Sequence, residues 1–249
     1  MATQRRAVSS MSVTGLGGEV LWLCPTLDDT GNGTTTLTNL GATGINNGLL
    51  SSSGLWVTDG NKRYIQVNAS NNVNVAHNAS FVLPNTYSFA RWIYTSQWVS
   101  NAAINSRANN LPRVLSAGSS ASGIFMSQST QTTNFQSLGG FGSLALNEWH
   151  HVGFSLVNTS GSSFTSTPYT NGVAGNPVSF QGPLLATTAA FRIPGDLGSG
   201  LFLNHRFDDV RLFYREVTAA EFALLASERG YQPSNQVRRR RSRSGGGVL

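Results

Sequence analysis

The chain has 249 residues, of which only 11% are charged, and 13 Phe, 6 Tyr and 5 Trp supply its bulky core material. The formal net charge is +6, but Arg238, Arg239, Arg240, Arg241 and Arg243 stand together near the C-terminus and leave the rest close to +1, with Lys62 its single lysine. A folded nucleic-acid binder, which spreads Lys and Arg over one face with aromatics between them, is therefore excluded for the body of the chain. The lone cysteine, Cys24, excludes an intramolecular disulfide, and neither a secretory signal nor a membrane-spanning apolar run is found.

In chain order, residues 1–17 are small and polar and read as a flexible arm. From Gly18 the pattern changes: "EVLWLCP" is an apolar strand ended by proline, with Cys24 expected buried in it, and "DDTGNGTTTLTNLG" is a turn-rich loop. Further strand-like runs follow at "RYIQVNA", "YSFARWIYTS", "RVLSAGS", "GIFMSQS", "HHVGFSLVN", "FTSTPYTNGVAGNPVSF", "AAFRIPG" and "HRFDDVRLFY". Gly, Asn and Ser separate them, which fits an antiparallel sandwich and not βαβ units. Asn171-Gly172 is expected at a hairpin tip, because both residues tolerate the positive φ that a two-residue turn needs. One helix is expected in "VTAAEFALLASERG": Thr218 caps it, Glu221 closes a capping box, Phe222, Leu225 and Leu224 form the apolar face, and Gly230 stops it. The expected organisation is an arm (1–17), one all-β domain (18–231) and an Arg-rich, Gly-rich tail (232–249).

Four segments carry a resemblance to a known family. "LWLCPTLDDTGNG", "YSFARWIY", "LNEWHHVGFSLV" and "FDDVRLFYREVTAAEFALL" stand in the order found in concanavalin A-like jelly rolls of the laminin-G-like type. Such domains occur in lectins, adhesins, bacterial surface proteins and phage virion proteins. The resemblance covers about Gly18 to Gly230 and implies an antiparallel β-sandwich with one short C-terminal helix. It also implies one structural Ca²⁺ between the opening loop and an aspartate of the last strand, Asp208 or Asp209. Backbone oxygens near Asp28, Asp29 and Asn32 would complete the six to eight ligands. The residues themselves fit a second reading equally well, in which Asp28 and Asp29 begin turns and Asp208 or Asp209 pairs with an arginine.

The fold also hosts glucanases, which need two carboxylates about 5 Å apart, usually at alternate positions of one strand. None of the eleven acidic residues makes that spacing. Asp208 and Asp209 are adjacent and would face opposite sides of a strand, as would His150 and His151. No zinc helix, phosphate loop or serine elbow is present. The chain is thus expected not to be an enzyme.

For glycan binding, exposed aromatics beside amides and arginines are the signal. Two segments offer it: Gln97, Trp98, Asn101 and Arg107 in one, and Trp56, Asp59 and Arg63 in the other. Trp98 has the most polar neighbourhood. The expected function is non-catalytic carbohydrate recognition, with a structural component of a virion or similar assembly as the alternative. Partners are then a glycan or neighbouring subunits; a nucleic acid or other polyanion would be met only through Arg238–Arg241 and Arg243 of the tail.

Overall fold

The computed structural model describes residues 15–41, 45–106, 116–131, 136–195 and 201–232. β1 (Glu19–Leu23), β2 (Thr36–Leu37) and β3 (Gly48–Leu50) lead into β4 (Trp56–Asp59), β5 (Lys62–Val67), β6 (Val73–Val75) and β7 (Tyr87–Tyr94). The middle of the chain supplies β8 (Ala103–Asn105), β9 (Ser116–Ser119), β10 (Gly123–Gln128), β11 (Gln136–Ser143) and β12 (Trp149–Ser160). After these come β13 (Ser163–Thr170), β14 (Val173–Ala174), β15 (Val178–Gln181), β16 (Phe191–Ile193), β17 (His205–Phe213) and the helix α1 (Ala219–Leu225).

Among the described residues the pairs of named strands are antiparallel, and the largest sheet runs β14-β13-β12-β7-β17-β5-β4, with β1 added to β17 and β15 to β13. Two four-stranded sheets, β11-β10-β9-β8 and β16-β6-β3-β2, are joined by a bridge between Ser106 and Arg192 and make up the opposing layer. Alternation explains the division. In β7, Tyr87, Phe89, Arg91 and Ile93 point between the layers, the Arg91 guanidinium donating to Asn105 Oδ1 at 2.9 Å, as do Val152, Phe154 and Leu156 of β12, while Ser88, Ala90, Trp92, Tyr94, Gly153 and Ser155 lie on the other face. Each apolar side chain between the layers, removed from water, contributes about 1.5–3 kcal/mol to holding them together.

The outer face of the large sheet carries its own smaller core. Phe222 and Leu225 of α1 pack there with Ala90, Tyr169, Phe213, Val217 and Tyr231. The Tyr169 and Phe222 rings stack with centroids 3.9 Å apart. Gly153 permits this approach, since a Cβ at that position would lie 2.7 Å from Phe222 and 2.4 Å from the Phe89 carbonyl oxygen. The capping box of Thr218 and Glu221 forms as expected, and Asn171 (φ 50°) and Gly172 (φ 82°) make the turn between β13 and β14. The helix is shorter than its sequence suggests. It ends at Ala226, and Gly230 (φ 71°) instead brings the chain close enough for its N–H to donate to Asp209 Oδ2 at 3.1 Å.

Strand alternation fails at the paired aspartates. A bulge interrupts the pairing of β17 with β7 between Asp208 and Arg211, and Asp209 adopts φ 51°. Both carboxylates are consequently buried close to Cys24, instead of pointing to opposite sides. Asp209 accepts from Trp22 Nε1 at 2.6 Å and from Arg211 Nε and Nη2 at 2.7 and 3.0 Å. Arg211 also meets Glu19 Oε1 at 3.3 Å and the Tyr231 carbonyl at 2.6 Å, with its guanidinium 4.1 Å from the Trp22 ring. This buried ion-pair network ties β1, β17 and the segment after α1 into one unit.

Candidate functional site

The strand register gathers a row of large side chains on the outer face. Trp149 of β12 lies opposite Tyr94 of β7, Tyr94 opposite Arg206 of β17, and Arg206 opposite Gln66 of β5. Directly opposed residues share a face, so four strands present one continuous line of contacts. Tyr64, two residues from Gln66 in β5 and on the same face, packs edge-on against Trp149 at 5.6 Å, and Tyr94 meets Trp149 at 5.7 Å. The Arg206 guanidinium lies between the two tyrosines, 5.0 Å from the Tyr64 ring and 4.4 Å from Tyr94. Arg229 covers Trp149 at 4.2 Å and is itself held by Asp59 at 2.8 Å.

One end of this row opens into a cleft of about 220 Å³ lined by Gln66, Tyr94, Thr95, Ser96, Asn147, Asn204, His205 and Arg206. Gln66, Ser96, Asn147 and Asn204 are exposed, and Tyr94 and Arg206 are half-buried. Thr95 fixes the rim: its hydroxyl contacts the carbonyls of Gln97 at 2.7 Å and Asn204 at 3.1 Å. Asn147 (φ 61°) turns the opposite rim, and its N–H donates to the Thr95 carbonyl at 2.9 Å. The lining therefore combines aromatic edge, amides, a hydroxyl and one cation. A larger cavity of about 630 Å³ lies between residues 77–85 and 184–188. It is lined mainly by aliphatic side chains with no Tyr, Trp, Phe or Arg, and its Gln128 amide is already engaged by Tyr87 and Ser129.

The structure disperses the residues that the sequence suggested for ligand contact. Trp98 is packed against the main core and its indole N–H donates to the Leu144 carbonyl at 2.9 Å. Gln97 follows the cleft rim directly, and Asn101 turns the chain with φ 61° while its N–H donates to Ser119. Trp56 pairs with the core residue Ile65 and donates to the Thr34 carbonyl at 2.8 Å. Arg63 is bonded to Asp29 at 2.7 Å, and Asp59 to Arg229 at 2.8 Å. Arg107 and the tail arginines Arg238, Arg239, Arg240, Arg241 and Arg243 lie outside the described residues. The segment after β7 thus borders the cleft, whereas the contacts of Trp98 and Trp56 are those of packing residues. Tyr94, Trp149, Arg206, Gln66, Asn147 and Asn204 were missed, because only the strand register reveals that they adjoin.

The residues suggested for a cation do not fit one. The Asp28 carboxylate accepts from Thr30 Oγ1, the Gly31 N–H and the Thr38 N–H, which is the pattern of a loop staple. Asp29 is exposed on Arg63, and Asn32 is exposed in the loop. Asp209 is taken up by Trp22, Arg211 and Gly230, while Asp208 accepts from Thr26 Oγ1 at 2.5 Å and from the Asp209 N–H at 2.8 Å. A Ca²⁺ ion needs six to eight converging oxygens, and here the buried carboxylates face N–H and O–H donors. Among the described residues no three His, Cys, Asp or Glu side chains gather as a metal site.

Burial governs the titration of this region. It raises the Asp208 carboxyl to about 7, with the neighbouring Asp209 charge adding to the effect, and pushes the Cys24 thiol well above its usual range. Burial lowers His151 to about 3, and that ring packs edge-on against Trp92 at 5.4 Å. His150 bonds the Ala145 carbonyl at 2.9 Å on the other side of the strand, so the two histidines stay separate, as alternation requires.

No described helix is long and apolar enough to cross a membrane. No curated protein matches the sequence. Among solved structures, domain 4 of AbnA, an extracellular arabinanase from Geobacillus stearothermophilus, superposes with a TM-score of 0.61 at 14% identity. That likeness covers 84% of this chain and 98% of the arabinanase domain. The binding domain of Paraclostridial Mosquitocidal Protein 1 gives a TM-score of 0.63 at 13% identity, covering 84% of this chain and 52% of that one. The botulinum neurotoxin serotype D/C binding domain gives 0.61 at 17% identity, covering 84% and 51%. The chain thus spans about half the length of the two toxin binding domains, and at such identities these likenesses show the fold alone. A laminin-G-type family model matches residues 59–223. The chain belongs to the concanavalin A-like lectin/glucanases superfamily, and its fold is that family's antiparallel jelly-roll sandwich with one short helix near the C-terminus.

Proposed function

We propose that this protein is a non-catalytic recognition module that binds carbohydrate at the outer-face cleft. The observation that carries the reading is the line Trp149, Tyr94, Arg206 and Gln66, ending among Ser96, Asn147 and Asn204. Sugars present apolar C–H faces together with hydroxyls that need directional partners, and this lining supplies both kinds of surface. The arabinanase domain with the same fold was solved in complex with arabinotriose, which supports a saccharide ligand for this architecture. The cleft lining carries no carboxylate, whereas glycoside hydrolysis requires a pair of them. The alternative reading, a virion component, draws on the occurrence of such domains in virion proteins, on the lack of a recognisable export signal and on two terminal segments that lie mostly outside the described residues.

The test is a glycan array followed by calorimetry of the strongest binders, with wild type and Tyr94→Ala compared. Removing the ring is expected to weaken binding about two- to tenfold while circular dichroism stays unchanged, since an aromatic contact contributes about 0.5–1.5 kcal/mol. An array with no signal above background, or a Tyr94→Ala variant that binds like wild type, would overturn the proposal.

A further inference from the structure

The cleft contains one cation and, among the described residues, no anion to neutralise it. Arg63, Arg211, Arg215 and Arg229 each reach a carboxylate at 2.7–2.8 Å. The Arg206 side chain has no such partner and makes no described hydrogen bond, although it is half-buried and lines the cleft. What holds it is the pair of tyrosine rings at 5.0 and 4.4 Å. Stacking fixes a guanidinium without consuming its N–H groups, so the whole donor fork is left at the edge of the plane. A planar fork of this kind matches two oxygens of an anionic group through parallel charge-assisted hydrogen bonds.

We infer that the cleft selects saccharides bearing an anionic substituent, a carboxylate or a sulfate, which the clamped Arg206 guanidinium takes while Asn147, Asn204 and Gln66 take hydroxyls. This rests on the carbohydrate-binding reading above and adds the ligand class and the residue that sets it. The alternative use of an unpaired surface arginine is a solvated charge that stabilises the sheet through its two ring contacts. Stacking alone already favours such an arginine, so the anion preference, and not the stacking, is what separates the two readings.

The experiment must separate Arg206 from the tail arginines, which attract any polyanion. The 249-residue chain is titrated at about 150 mM salt with di- and trisaccharides of galacturonic acid and their carboxyl-reduced counterparts. A sulfated disaccharide and its desulfated form make a second arm, which shows which anionic group is read. The acidic form in the matching arm is expected to bind roughly 10- to 100-fold more tightly than its neutral counterpart. Arg206→Gln is expected to abolish the difference, and Arg206→Lys, which keeps the charge but not the fork, to restore only part of it. An acidic preference that survives in Arg206→Gln would assign it to the tail and overturn the inference. Neutral and acidic forms that bind equally, in a Tyr94-dependent manner, would overturn it while leaving carbohydrate recognition standing. Failure of every saccharide to bind would overturn both.

Discussion

The buried pair of Asp209 and Arg211 is the point at which a single atom exchange should cost the fold most. Asp209→Asn is the cleanest perturbation, because asparagine also tolerates the left-handed backbone found there at φ 51° and occupies the same volume. The carboxylate accepts four hydrogen bonds, from Trp22 Nε1, Arg211 Nε, Arg211 Nη2 and the Gly230 N–H. An amide in its place turns one acceptor into a donor that faces other donors, and it leaves the fully buried Arg211 with only Glu19 at 3.3 Å for charge compensation. Breaking a buried pair by removing one partner costs about 3–5 kcal/mol. With a urea m-value near ~3 kcal/mol/M for a chain of this size, the unfolding midpoint should fall by about 1–2 M at unchanged m. Equilibrium urea denaturation followed by tryptophan fluorescence measures it. A loss below about 1 kcal/mol would refute the claim that this network holds β1, β17 and the segment after α1 together.

Two further predictions concern stability. Because the Asp208 carboxyl is raised to about 7 in the folded state, the native protein holds a proton there that the unfolded chain releases near 3.8, so this group's stabilisation falls as pH rises between those values and is lost above about 7. Buried His151, lowered to about 3, acts in the opposite sense, its contribution being present above the ordinary histidine value and lost on acidification. Asp208→Asn should therefore remove a slope of about 1 kcal/mol per pH unit from the wild-type profile between pH 4 and 7. Chemical denaturation of both proteins across that range checks this, and parallel profiles would contradict it. Gly153→Ala should lower stability by about 1–3 kcal/mol, because its Cβ would press on the Phe89 carbonyl and the Phe222 ring and lift α1 from the sheet. Thermal unfolding is the readout, and an unchanged midpoint would show that α1 shifts freely.

Much of the architecture was legible from local pattern. The strand-like runs "YSFARWIY" and "HHVGFSLVN" form β7 and β12, the Asn171-Gly172 turn needs no context, and Thr218 with Glu221 marks the start of α1. Each depends on residues a few positions apart, where backbone geometry alone fixes the relation. The same rule misled at Asp208 and Asp209, since a bulge adds a residue that periodicity cannot anticipate. It also placed the end of α1 at Gly230, whose positive φ serves an approach to Asp209 across 21 residues and not a helix cap.

The candidate site shows the division most clearly. Sequence determined that the chain would be a jelly roll with a nearly neutral body and a basic tail, and that no residue set of known catalytic spacing was present. It did not show that Tyr94, Trp149 and Arg206 are neighbours. They come from three strands, each partner at least 55 positions from Tyr94 in the chain, and only the register of antiparallel pairing aligns them. Trp98 and Trp56 stood in suitably polar segments, yet core packing claimed them. Local composition decides which residues form strands; which strand ends come together on one face is a property of long-range pairing, and that is where the tertiary structure placed the cleft.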